Sequence, residues 1–243
     1  VPYGGLLMPM KSSQTPFVPQ YYEFHCPVKI LSGLKALSNL PYELSLLGAS
    51  RPLLVSDRGV VDAGLLAKVQ ASFQGTEAAC GAVFDGTPPD SSVEIVDEVA
   101  SVYRERGCDA VVAVGGGSCI DTAKCALMVL AEGVSDLKPL QGAERLTKVR
   151  PPFVVVPTTA GTGSEVTGVA VVKDVEAHAK MAFMSFRLLP DVAILDPEMT
   201  LTMPPKVTAA TGIDALTHAI EAWYSLQKNP VSDAFSAAAI RLI

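Results

Sequence analysis

From about Tyr22 onward, short apolar runs alternate with longer stretches whose apolar positions recur every three or four residues. Residues 51–57 predict a buried strand that ends in an acid, Asp57. Apolar residues at helical spacing follow over 62–71, and 81–85 forms a second short strand. Residues 92–106 predict a helix with Val93, Val96, Val99, Ala100 and Tyr103 on one face, and Arg104-Glu105-Arg106 as its solvated end. A nearly all-apolar strand over 109–114 runs into Gly115-Gly116-Gly117-Ser118, and a helix continues over 122–131. A fourth strand, 152–157, enters a loop dense in hydroxyls over 158–165, and 192–196 is a further short strand. Strands that stay apolar throughout and alternate with helices imply a parallel sheet covered on both faces.

The pattern changes after Pro204-Pro205, beyond which it is helical only and rich in alanine. The expected organisation is an extended, proline-punctuated arm over 1–21, a Rossmann-like α/β domain over 22–203, and the start of an all-helical domain over 204–243. A helix starting at Pro230-Val231-Ser232-Asp233 runs on to Ile243 with no glycine cap or proline stop, so the helical domain is expected to continue beyond the residues given.

Composition narrows the function classes. With 49% hydrophobic and 18% charged residues, the chain is not intrinsically disordered. Its net charge of -6 disfavours a nucleic-acid partner. No apolar run suits a bilayer, and the first residues lack the basic stretch of a secretory leader. Five cysteines, an odd number with no C-x-x-C pair, fit a reducing cytoplasm. Cys119, beside the glycines, is a reactive thiol or an ordinary small buried residue. The high apolar fraction favours a dimer or larger homo-oligomer.

Ligands of open parallel sheets bind at the carboxyl ends of the strands, where three segments here carry polar chemistry. Gly116, Gly117 and Ser118, between a strand and a helix, let backbone N–H groups approach a phosphate closely, or else make a tight turn. The loop is neither G-x-G-x-x-G nor a Walker A sequence. Asp57 can accept hydrogen bonds from an adenosine ribose, favouring NAD over NADP, or can cap a helix. Thr158, Thr159, Thr162 and Ser164 line a ligand or satisfy their own loop. Asp214 and His218, at i and i+4, share a helix face, where they make a surface pair or two ligands of a divalent metal. His25 reads as structural and His178 as exposed.

Three long motifs in this order resemble the iron-type (group III) alcohol dehydrogenase family, with its dehydroquinate-synthase-like fold. They are Gly115-Gly116-Gly117-Ser118-Cys119-Ile120-Asp121, the run from Pro157 to Thr167, and the run from Ala209 to Glu221. The resemblance covers about 22–243 and implies an active site between a nucleotide-binding and a helical domain. It implies that Gly116, Gly117 and Ser118 hold the pyrophosphate of NAD and Asp57 its adenosine ribose. Thr158, Thr159 and Thr162 would line the cofactor, Lys180 would reach the nicotinamide-side ribose, and Asp121 would lie near the nicotinamide. Asp214 and His218 match the first two metal ligands, for Fe²⁺ in most of the family and Zn²⁺ in some members. Asp121 and His218 are therefore the candidate catalytic residues of a metal-assisted hydride transfer between NAD and a small alcohol or aldehyde.

Two departures stand out. Pro88-Pro89-Asp90-Ser91-Ser92 replaces a Pro-Asn-Pro-Thr turn, and no histidine follows His218, where the family has two more ligands. A zinc-dependent, glycerol-type polyol dehydrogenase and a non-catalytic NAD-binding module are the alternatives.

Overall fold

The computed structural model describes residues 19–243, so most of the expected arm lies outside the described residues. The centre is a six-stranded, all-parallel sheet in the order β1-β9-β6-β4-β2-β3. Its strands are β1 (Lys29–Ser32), β2 (Pro52–Val55), β3 (Ala82–Phe84), β4 (Ala110–Gly115), β6 (Phe153–Pro157) and β9 (Val192–Leu195). Side chains alternate across the sheet, and both faces are dry. Leu53, Val55, Val111, Ala113, Phe153 and Val155 pack against α4 (Val93–Glu105) and α5 (Gly117–Glu132). Leu54, Val112, Val114, Val154 and Val156 pack on the other face against α1 (Leu40–Leu46), α2 (Arg58–Asp62) and α3 (Leu65–Ala71). Burial on both faces is why these strands read as unbroken apolar runs.

Four local expectations change. The helix expected over 62–71 starts later, as α3 at Leu65, and a separate short helix not read in sequence, α2, precedes it, with Gly64 at φ 73° between the two. The helix expected from Thr122 begins at Gly117, so the glycine motif supplies its first turn. Strand β1, half-exposed at the sheet edge, carries too weak an apolar pattern to read in sequence. The fourth change is a second, three-stranded sheet. In it β7 (Val169–Asp174) and β8 (Ala179–Met184) form an antiparallel hairpin, and β5 (Gly142–Ala143) joins β8. Its turn holds because Asp174 accepts a hydrogen bond from the Ala177 N–H and His178 takes φ 50°.

Beyond residue 204 the structure is helical, as the pattern predicts, with α6 (Pro205–Tyr224) and α7 (Pro230–Leu242). Helix α7 starts on a reciprocal capping box: Asn229 Oδ1 accepts from the Ser232 N–H, and Ser232 Oγ accepts from the Asn229 N–H.

Candidate functional site

The sheet order places a topological switch point between β2 and β4. From β2 the chain moves outward to β3; from β4 it moves the other way to β6. The crevice outside two such neighbouring strand ends is where open α/β sheets bind ligands. Asp57 follows β2, Gly115–Ser118 spans the end of β4, and Thr158 follows β6, so the three polar segments lie side by side.

Helix α5 opens with Gly116 as its N-cap and no side chain capping it. Its first N–H groups and positive dipole end therefore face the crevice, an arrangement suited to an anion. The glycines are also needed by their neighbours. A Cβ on Gly116 would stand 3.0 Å from Thr159 Oγ1, and one on Gly117 would stand 2.9 Å from Thr162 Cγ2. The hydroxyl loop thus packs directly on the glycine turn. Thr158 joins it by donating its backbone N–H to the Gly115 carbonyl at 3.0 Å.

Asp57 caps α2, accepting from the Val60 N–H at 2.9 Å, and its other oxygen accepts from Cys119 Sγ at 3.2 Å. The capping role weighed in sequence is therefore real, and the carboxylate also borders the glycine turn. Cys119 is 1% exposed, and burial pushes its thiol far up. It is a packed residue, not a reactive one.

Asp121 lies on α5 under the cleft. It accepts from Ser164 Oγ at 2.8 Å and from the Val171 N–H at 3.0 Å, and burial raises its pKa. Lys180, on β8, faces the same cleft as Gly117, Ser118, Asp121 and Thr162. His25 packs edge-on to the Phe186 ring, and His178 sits exposed in the hairpin turn.

Sequence reasoning passed over Lys124. It is fully buried, and its ammonium donates to the carbonyl oxygens of Ser164, Thr167 and Val169 and to Ser164 Oγ, all within 2.8 Å. Burial pushes it down to about 8, against the charge of Asp121. The one available signal was a lysine inside the otherwise apolar run 123–131.

Asp214 and His218 lie one turn apart on α6, with Nε2 and Oδ1 3.8 Å apart and both side chains about half-exposed. Among the described residues, no group of three or more His, Cys, Asp or Glu could enclose a metal. The hydroxyl loop reaches this helix, since a Cβ on Gly161 would stand 2.8 Å from the Thr211 carbonyl oxygen. Among the described residues, no helix is long and apolar enough to cross a membrane.

The chain matches the family model "Iron-containing alcohol dehydrogenase" over residues 27–197 and "Fe-containing alcohol dehydrogenase family, C-terminal" over 208–243. It is 43% identical over 202 residues to a 4-hydroxybutyrate dehydrogenase of Cupriavidus necator, covering 82% of this chain and 52% of that one. It is 40% identical over 226 residues to a 1,3-propanediol dehydrogenase of Klebsiella pneumoniae, covering 91% and 57%. The crystal structure of a 1,3-propanediol oxidoreductase superposes with a TM-score of 0.88 at 38% identity, over 92% of this chain and 58% of that one. A sulfoacetaldehyde reductase of Bifidobacterium kashiwanohense, solved in complex with NAD+, superposes with a TM-score of 0.82 at 33% identity, over 92% and 59%. The chain spans about half the length of the curated relatives it matches. With its sheet order, its strand-end loops and these matches in agreement, the chain belongs to the iron-containing alcohol dehydrogenase family.

Proposed function

We propose that this chain serves an NAD-dependent oxidoreductase that interconverts a small alcohol with its aldehyde or ketone by metal-assisted hydride transfer. The observation that carries the reading is the convergence of Asp57, Gly116–Ser118 and Thr158–Thr162 at the switch point, beside a cleft faced by Lys180. The glycine turn fits a diphosphate, because it is open backbone at an uncapped helix N-terminus. Gly116, Gly117 and Ser118 hold the diphosphate in this reading, and Asp57 meets the adenosine ribose with the lone pairs its cap leaves free. Thr158, Thr159 and Thr162 form the cofactor wall, and Lys180 reaches the second ribose. Asp121 lies under the nicotinamide end and, through Ser164, keeps that wall in place.

Asp214 and His218 supply one carboxylate and one imidazole, a donor pair that suits Fe²⁺. Two donors do not close a catalytic site, so a metal held here needs others from beyond the described residues. Held by Asp214 and His218 with further donors, the metal would supply positive charge to polarise an alcohol oxygen, and NAD held along Gly116–Ser118 and Thr158–Thr162 would supply the hydride-transfer chemistry. The zinc-dependent alternative is not favoured, since both matched models are of the iron-containing family. We place the division between the cofactor-binding and helical parts near Met203. A homo-oligomer in the cytoplasm completes the reading, supported by free cysteines at the described positions and by exposed apolar side chains on α6 and α7.

The test is a titration of NADH fluorescence with this chain. Saturable binding that is lost in Gly117→Asp supports the reading, and absence of binding in the folded wild-type chain would falsify it.

A further inference from the structure

Asp90 stands at the turn before α4 with φ 53°, a conformation that Asp and Asn tolerate better than most side chains. Its backbone N–H donates to Ser118 Oγ at 3.2 Å, so the turn rests on the first turn of α5. Its carboxylate reaches two lysines of the β7–β8 hairpin. Lys173 Nζ is 2.9 Å from Oδ2, and Lys180 Nζ is 3.4 Å from Oδ1. Hydrogen bonding and charge from Lys173, with Lys180 adding to them, hold Asp90 below its usual range. The next residue, Ser91, is 2% exposed, and its hydroxyl has no hydrogen-bond partner among the described residues. It faces the same cleft as Ser118 and Lys180. A buried hydroxyl without a partner costs free energy, so this one marks a place where a ligand oxygen can bond.

We propose that Asp90 is an internal counter-anion. It occupies Lys173 and Lys180 in the cofactor-free chain, and the diphosphate of a dinucleotide displaces it, so that Asp90 sets the affinity for the cofactor. This rests on the cofactor reading of the cleft given above. All three side chains are substantially exposed. Ion pairs of this kind are weak and screened by salt, so displacement is easy and the effect on affinity is modest. The incoming diphosphate gains Lys173, Lys180 is freed to reach the second ribose, and the Ser91 hydroxyl gains a partner.

The experiment measures NADH binding by fluorescence for the wild type and Asp90→Asn, each alone and with Lys173→Met and Lys180→Met together. Asparagine keeps both the left-handed backbone and the N–H bond to Ser118, and a circular dichroism melt verifies the fold. Asp90→Asn is expected to bind NADH about 3–10-fold more tightly at low salt, with the gain shrinking to within about twofold near 0.5 M salt. Inorganic pyrophosphate is expected to displace NADH more readily from the variant. Unchanged or weaker binding by Asp90→Asn overturns the proposal. So does an equal gain in the double-lysine background, because Asp90 would then act by repulsion and not by occupying the lysines. A folded wild type that binds no NADH overturns the cofactor reading itself, and the proposal with it.

Discussion

The ammonium of Lys124 lies 2.7 Å from the Ser164 carbonyl oxygen and 2.8 Å from the Ser164 hydroxyl, which in turn donates to Asp121 at 2.8 Å. A buried cation and a partly buried carboxylate, one helical turn apart on α5, are thereby joined through the end of the hydroxyl loop. The loop that carries Thr158, Thr159 and Thr162 is fixed from behind, from inside the core.

Lys124→Met leaves four oxygens and Asp121 without their cation. Loss of one partner of a buried charged network costs about 3–5 kcal/mol. Urea denaturation is expected to show a loss of that size, with weakened NADH binding in the fraction that still folds. A loss under about 1 kcal/mol means that the network is dispensable.

The same lysine makes stability depend on pH. Its ordinary value is 10.5 and burial pushes it down to about 8 in the folded chain. Between these values the unfolded chain holds a proton that the folded chain has released, so this contribution to stability rises with pH. Below about 8 both states are protonated and the contribution is flat. The stability difference between wild type and Lys124→Met is therefore expected to widen from near pH 7.5 to near pH 9.5. Denaturant melts at the two values check this; a constant difference refutes it.

Gly117 and Thr162 form a testable pair. An alanine Cβ at 117 would meet Thr162 Cγ2 at 2.9 Å but Thr162 Oγ1 at only 3.4 Å. Gly117→Ala is expected to weaken NADH binding at least several-fold. Thr162→Ser removes the clashing methyl and keeps the hydroxyl, so it should restore part of the loss. No restoration would show that the alanine blocks the phosphate itself.

Gly161→Ala tests the contact between the hydroxyl loop and α6. The new Cβ would lie 2.8 Å from the Thr211 carbonyl oxygen and 2.9 Å from the Thr211 Cβ, neither of which can swing away. Overpacking of this kind costs about 1–3 kcal/mol. A lowered melting temperature and faster proteolysis within 205–243 are expected, with the sheet retained.

His218→Ala and Asp214→Ala are each expected to abolish retention of Fe²⁺ by the full protein, read as metal content after gel filtration, and turnover is expected to fall with it. Full metal content in either variant refutes the ligand assignment. The pair is half-exposed and about 3.8 Å apart, so neither substitution should alter the melting temperature by more than a few degrees.

The central strands were legible in the sequence because both of their faces are buried, which makes residues 110–114 and 153–156 apolar without interruption. The polar strand ends were legible for the complementary reason: glycines, threonines and an aspartate interrupt those runs at the carboxyl ends of the strands, the edge at which open parallel sheets bind ligands. The i, i+4 spacing placed Asp214 and His218 on one face before any coordinates did.

The tertiary fold decided everything that depends on partners distant in sequence. Lys180 meets Asp90 across 90 positions and Lys124 meets Ser164 across 40, separations that no local periodicity encodes. Whether Asp57 caps a helix, faces a ribose or both depends on α2 starting at Arg58 and on Cys119 in the first turn of α5 reaching its carboxylate. The β7–β8 hairpin was not legible because its burial alternates while its hydropathy does not, the exposed positions carrying apolar residues such as Val169, Ala182 and Met184. Local patterns record how much water each segment sees, and this alone determined the elements and the polar edge of the sheet. Which charges meet across that edge is set by how the elements pack, and only the folded chain decides it.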